Sequence, residues 1–96
     1  MTQAAQRKPQ PQVLGSGRLS YPGFSAEVAY QIRGNPGDLR HGKSPLRGQI
    51  RTSPEDARAA FRQGRVWLRL AGDRECRLTM IAHTQGSEVA YFEIEP

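Results

Sequence analysis

Cysteine is almost absent from this chain: Cys76 stands alone among 96 residues. A single thiol excludes an internal disulfide and any metal site built on several cysteines. It suits the reducing cytoplasm, which is the location we expect. Lysine is nearly as scarce. Lys8 and Lys43 are the only two, so the formal net charge of +5 is carried almost wholly by arginine. Long apolar runs are missing as well. No stretch approaches the roughly 20 residues of a membrane-spanning helix, and no membrane partner is expected. The first residues, "MTQAAQRKPQPQ", lack the hydrophobic segment of a secretory signal. Residues 1–14 read as a disordered tail that cannot bury enough surface to order itself.

What is present points to one small domain over residues 15–96. Hydrophobic residues make up 36% of the chain, enough for a single core. In "GRLSYPGFSAEVAYQIRG" a Pro22-Gly23 turn separates two strand-like runs. The second alternates cleanly: Phe24, Ala26, Val28, Tyr30 and Ile32 on one face, polar residues on most of the other. "LRGQIRT" sets Leu46, Ile50 and Thr52 against Arg47, Gln49 and Arg51. "RVWLRLA" sets Val66, Leu68 and Leu70 against Arg65, Trp67 and Arg69. In "RECRLTMIAHT" the apolar face is Cys76, Leu78, Met80 and Ala82, opposite Arg77, Thr79, Ile81 and His83. "EVAYFEI" is apolar at most positions and is expected to be buried on both sides.

One helix interrupts the strands. Ser53 is a good N-cap, Pro54 fits the first helical position, and Glu55 and Asp56 put negative charge where the dipole favours it. Gly64 supplies the stop. Short links between strands predict antiparallel pairing. The expected fold is α+β: a mainly antiparallel sheet or small half-open barrel, order β-β-β-α-β-β-β. The helix, about 54–63, covers a face or plugs an end.

The segment "GDLRHGKS" spells the phosphate-binding pattern G-x-x-x-x-G-K-[ST]. Such a motif opens a helix whose N-terminal amides hold the phosphate. Here Pro45 follows at once, and the next run alternates like a strand. The parallel βαβ units of nucleotide hydrolases are missing too. A narrower expectation survives: an anion-binding loop using Gly37, Gly42, Lys43 and Ser44. Asp38, His41 and Ser44 are the residue types of a nucleophilic triad, but closeness in sequence does not make the geometry. No catalytic residue, metal ligand or cofactor site is assigned. His41 and His83 are expected as surface or capping side chains, and Cys76 as a small buried apolar side chain.

Arg47 and Arg51 form an R-x-x-x-R pair beside the glycine-rich loop. The spacing resembles the arginine pair of PilZ-type small barrels, which bind a cyclic dinucleotide. That family's D-x-S-x-x-G stretch has no counterpart here. Arg58/Arg62 and Arg65/Arg69 repeat the same spacing, so the pair assigns no family.

Arg47, Arg51, Arg65, Trp67, Arg69 and Arg77 are expected to project from one side of the sheet. A basic surface with an aromatic platform can hold single-stranded nucleic acid, phosphates on arginine and bases on the ring. Alternatively Trp67 is covered by Ala57, Ala60 and Phe61 of the helix, with arginines extending around it. The leading expectation for function is a non-enzymatic binding or interaction module. It would bind a protein partner, or form a homodimer through a sheet edge or the Trp67 face. Nucleic-acid binding through the arginine face is the second reading, and anion binding at residues 37–44 the third.

Overall fold

Apolar residues at every second position close this chain on itself. The computed structural model describes residues 12–33 and 46–95. The strands are β1 (Gln12–Tyr21), β2 (Phe24–Arg33), β3 (Leu46–Arg51), β4 (Arg65–Arg69), β5 (Glu75–His83) and β6 (Val89–Ile94), with helix α1 (Pro54–Gln63) between β3 and β4. All neighbours pair antiparallel in the order β1-β2-β3-β6-β5-β4. The ring shuts where Arg18, Leu19 and Ser20 of β1 meet Arg69, Leu68 and Trp67 of β4. The barrel is therefore closed, not half-open. The seam is short: β1 pairs with β4 through these three residues only, so most of β1 is paired on its β2 side alone. At the seam the backbones come very close. A Cβ on Gly17 would run into the Arg69 carbonyl.

Inward residues from all six strands make the core. Leu19, Ile32, Ile50, Val66, Leu68, Leu78 and Phe92 are fully buried. Each such side chain contributes about 1.5–3 kcal/mol by leaving water. Tyr30 follows the same alternation inward, and its hydroxyl accepts a hydrogen bond from the Ala71 amide at 3.1 Å. That bond satisfies the one polar atom the ring carries inside.

The helix closes one end. The Ser53 hydroxyl accepts from the Asp56 amide at 3.1 Å, and Gly64, at φ 86°, ends the last turn. Ala57 and Ala60 are fully buried in the core cluster. Their small side chains let α1 lie close against β4, β5 and β6. The Gly64 carbonyl accepts from the Met80 amide at 2.6 Å, which fixes the helix end to β5.

Three expectations need correction. First, β1 reaches back to Gln12, so Val13 and Leu14 belong to the strand, not the tail. Second, β6 is dry on one side only. Ala90, Phe92 and Ile94 point into the barrel, while Tyr91 is 47% exposed. An apolar run suggested two dry faces, but a barrel wall has one. Third, Ala82 leaves the core face. The ladder between β5 and β6 shifts between Met80 and Ala82, so Met80 faces Phe92 and Ala82 faces Tyr91. The extra residue, Ile81, makes a bulge that reverses the alternation after it. Ala82 is exposed and Ile81 is 43% exposed.

Candidate functional site

The six residues expected to form a basic aromatic face do share the outer wall. They fall into two groups. Arg65, Trp67 and Arg69 lie on β4 and Arg77 on β5, with Trp67 directly opposite Arg77. Arg47 and Arg51 lie on β3, with β6 between them and β5. The indole is covered from outside by arginine: the Arg77 guanidinium stands 4.5 Å from the ring centroid. This cation–π contact takes the face a nucleobase would need. The helix does not cover Trp67, because Ala57 and Ala60 sit in the core on the inner side of the wall.

Every arginine of this set faces a carboxylate. Arg47 pairs with Glu93 at 3.0 Å and Arg65 with Glu95 at 3.1 Å. Looser contacts join Arg51 to Glu88, Arg69 to Glu75 and Arg77 to Glu95, at 3.8–3.9 Å. Five arginines thus share four glutamates, and little free positive charge is left there for phosphates. Glu95 is the most connected acid. One oxygen accepts from the Thr79 hydroxyl at 2.9 Å and meets Arg65; the other faces Arg77. These exchanges reduce the support for nucleic-acid binding at this face.

The expected anion-binding residues Gly37, Gly42, Lys43 and Ser44 lie outside the described residues, as do Asp38 and His41. His83 is partly buried, with Nε2 2.9 Å from the Ser87 carbonyl oxygen. Cys76 is buried, and that burial pushes its thiol pKa up despite the opposing effect of Arg74. Burial likewise raises the Tyr21 phenol, with the Asp56 carboxylate adding to the shift. No group of three or more His, Cys, Asp or Glu among the described residues could hold a metal ion. No helix among them is long and apolar enough to cross a membrane.

Folding also assembles a feature the sequence reading missed. Leu14, Gln31, Gln49, Tyr91 and Ala82 are consecutive register partners across β1, β2, β3, β6 and β5. All five belong to the outer face and none is charged. At about 4.8 Å between strands the row spans roughly 19 Å around the barrel. The bulged Ile81 widens it. Leu14 is 68% exposed, and with Ile81 and Tyr91 it accounts for most of the large apolar side chains in water. A groove of about 260 Å³ runs along this face, lined by Gln31, Arg33, Arg47, Gln49, Ile81 and Tyr91. Charge returns one step along the strands. Arg33, Arg47 and Glu93 border the row on one side; on the other, Arg51, paired with Glu88, stands between the uncharged Ala29 and Val89.

Gly48 sits in the wall beneath this groove. A Cβ there would strike the Gln31 carbonyl and lie 2.8 Å from the Phe92 ring. The glycine lets Phe92 fill the barrel directly behind the uncharged row. Tyr91 and Ile81 were visible in the sequence as apolar residues. Their meeting with Leu14 depends on four strand registers and a bulge, which no local pattern encodes. Compared with protein families, with curated proteins and with solved structures, the chain matches none.

Proposed function

We propose that this protein is a small, non-enzymatic, cytoplasmic interaction module, and that it binds a protein partner through the uncharged outer face around Tyr91. One observation carries the reading. On a wall otherwise dense in arginine and glutamate, Leu14, Gln31, Gln49, Tyr91, Ala82 and Ile81 form a continuous uncharged band. Protein interfaces have this anatomy: a centre poor in charge and rich in tyrosine, with a polar rim. The rim here carries both signs, Arg47 with Glu93 and Arg51 with Glu88. A partner of mixed charge fits that rim, and a second copy of the chain is one such partner.

Tyr91 is the anchor, because tyrosine supplies large contact area with little side-chain entropy to lose. Two assays cover both kinds of partner. Sedimentation across a concentration series reads self-association. Quantitative affinity enrichment from the source cell's extract reads other proteins. Replacing Tyr91 by lysine should weaken the interaction by about 30-fold or more, the scale of a hot-spot residue. If wild type and Tyr91→Lys behave alike in both assays, the proposal fails.

A further inference from the structure

Five arginines of the barrel wall pair with carboxylates; the two on the helix do not. Arg58 and Arg62 are exposed on α1, one turn apart. Among the described residues neither takes part in an ion pair, a hydrogen bond or a ring contact. Glu55 lies three residues before Arg58 on the same stripe, yet it makes no ion pair with it. Like charges at this spacing oppose the helix slightly. The dipole at the last turn offsets that only for Arg62. The ridge therefore sets two neighbouring guanidiniums in water without an ion pair, with Glu55 at its near end.

Aromatic rings flank it on both sides. On one side Arg58 and Arg62 share a groove of about 520 Å³ with Tyr21, Glu55 and Ala59. Tyr21 is held in place by stacking on Phe24, with ring centroids 4.8 Å apart. On the other side the two arginines share a groove with Phe61 and His83. The Phe61 and His83 rings lie 6.3 Å apart, and Phe61 is 37% exposed. Rings beside two free guanidiniums offer apolar contact and charge in one place, at the cost of ordering two arginine side chains on binding.

We infer that the outer face of α1 is a second docking surface, and that its partner is an acidic protein segment in extended conformation. Side chains at i and i+4 of a helix stand about 6 Å apart. Same-side residues of an extended chain repeat at about 6.6–6.8 Å. Two carboxylates separated by one residue therefore meet Arg58 and Arg62 together, each as a forked, charge-assisted pair. An apolar side chain further along the segment rests against Tyr21. Nucleic acid fits less well. Two arginines neutralise two phosphates only, whereas a nucleic acid strand carries a charge on every residue.

The test uses the whole chain and fluorescein-labelled peptides. One carries Glu-Ser-Glu followed by phenylalanine; its control carries Gln-Ser-Gln. A labelled oligothymidylate is the third probe. Anisotropy is read at about 0.05 M salt, where exposed charges are weakly screened. The Glu peptide should bind at least about tenfold more tightly than the Gln peptide, the equivalent of about 1.4 kcal/mol. Arg58→Gln/Arg62→Gln should abolish that preference, while Arg69→Gln on the barrel wall should leave it intact. Both helix positions are exposed, so the melting temperature confirms that the double variant folds. A charge-reversed Arg58→Glu/Arg62→Glu variant should in turn prefer a Lys-Ser-Lys peptide. Equal binding of the Glu and Gln peptides overturns the inference. So does an unchanged preference in the double variant, or tighter binding of the oligothymidylate than of the Glu peptide.

Discussion

Replacing Glu95 by glutamine removes one charge and changes little else, so its effect is predictable from the contacts. The Glu95 side chain is 24% exposed, and its partners Arg65 and Arg77 are 70% and 48% exposed. Solvent screens such pairs strongly, and each contributes about 0.2–1 kcal/mol. The pair to Arg65 at 3.1 Å belongs at the upper end, and the pair to Arg77 at 3.8 Å at the lower. Glutamine keeps an oxygen that can accept from Thr79, so that bond survives. The expected loss for Glu95→Gln is then about 1 kcal/mol, or a fall in melting temperature of roughly 4–8 °C for a domain of this size. Glu95→Ala also strips Thr79 of its acceptor and should cost about 0.5–1.5 kcal/mol more. Thermal melts followed by circular dichroism at low salt and at about 1 M salt separate the terms, because the screening length at 1 M is only about 3 Å. The glutamine effect should shrink at high salt, and the extra alanine effect should not. A glutamine variant as stable as wild type at low salt would refute the reasoning. So would one destabilised equally at both salt concentrations.

Other consequences follow from single sites. Gly48→Ala should destabilise the barrel by about 1–3 kcal/mol, because the added methyl meets a backbone carbonyl that cannot yield; urea unfolding monitored through Trp67 reads the change. The Cys76 thiol should resist a disulfide reagent in the native protein and react at once in denaturant, since it is buried. Its raised pKa has a defined sign. The unfolded thiol ionises first, so stability is complete below its ordinary value of about 8.5 and falls as pH rises above it. Burial gives Tyr21 a similar trend that starts higher, at about 10. Cys76→Ala should therefore flatten the pH dependence of the urea midpoint from about 8.5 upward and leave the decline due to Tyr21 above about 10.

Local chemistry made much of the fold readable. Ser53, Pro54 and Gly64 mark the helix ends by cap and turn chemistry, and they fall where the structure has them. The alternation from Phe24 to Ile32 fixes which face of β2 is dry. What local pattern could not supply was pairing. The contact between Arg47 and Glu93 joins residues 46 positions apart, and it exists only because β3 lies beside β6. Without that neighbour, nothing in the local sequence assigns Glu93 to an arginine. The bulge at Ile81 misled in the same way: period two held up to Met80, and one unpaired residue then turned Ala82 outward. The uncharged row was hidden for the same reason. Leu14, Gln31, Gln49, Tyr91 and Ala82 are unremarkable singly and come into line only through four ladders.

A protein partner seated on this row would touch Tyr91 first. Comparison of wild type with Tyr91→Lys tests for such a partner most directly, with sedimentation and affinity enrichment run on the same preparations and melting temperature confirming that both fold. Tyr91 is 47% exposed, so the substitution should leave stability nearly unchanged. Wild type should show an interaction in at least one assay, and the lysine variant should weaken it by about 30-fold or more. Identical sedimentation and identical captured proteins for the two would contradict the proposal.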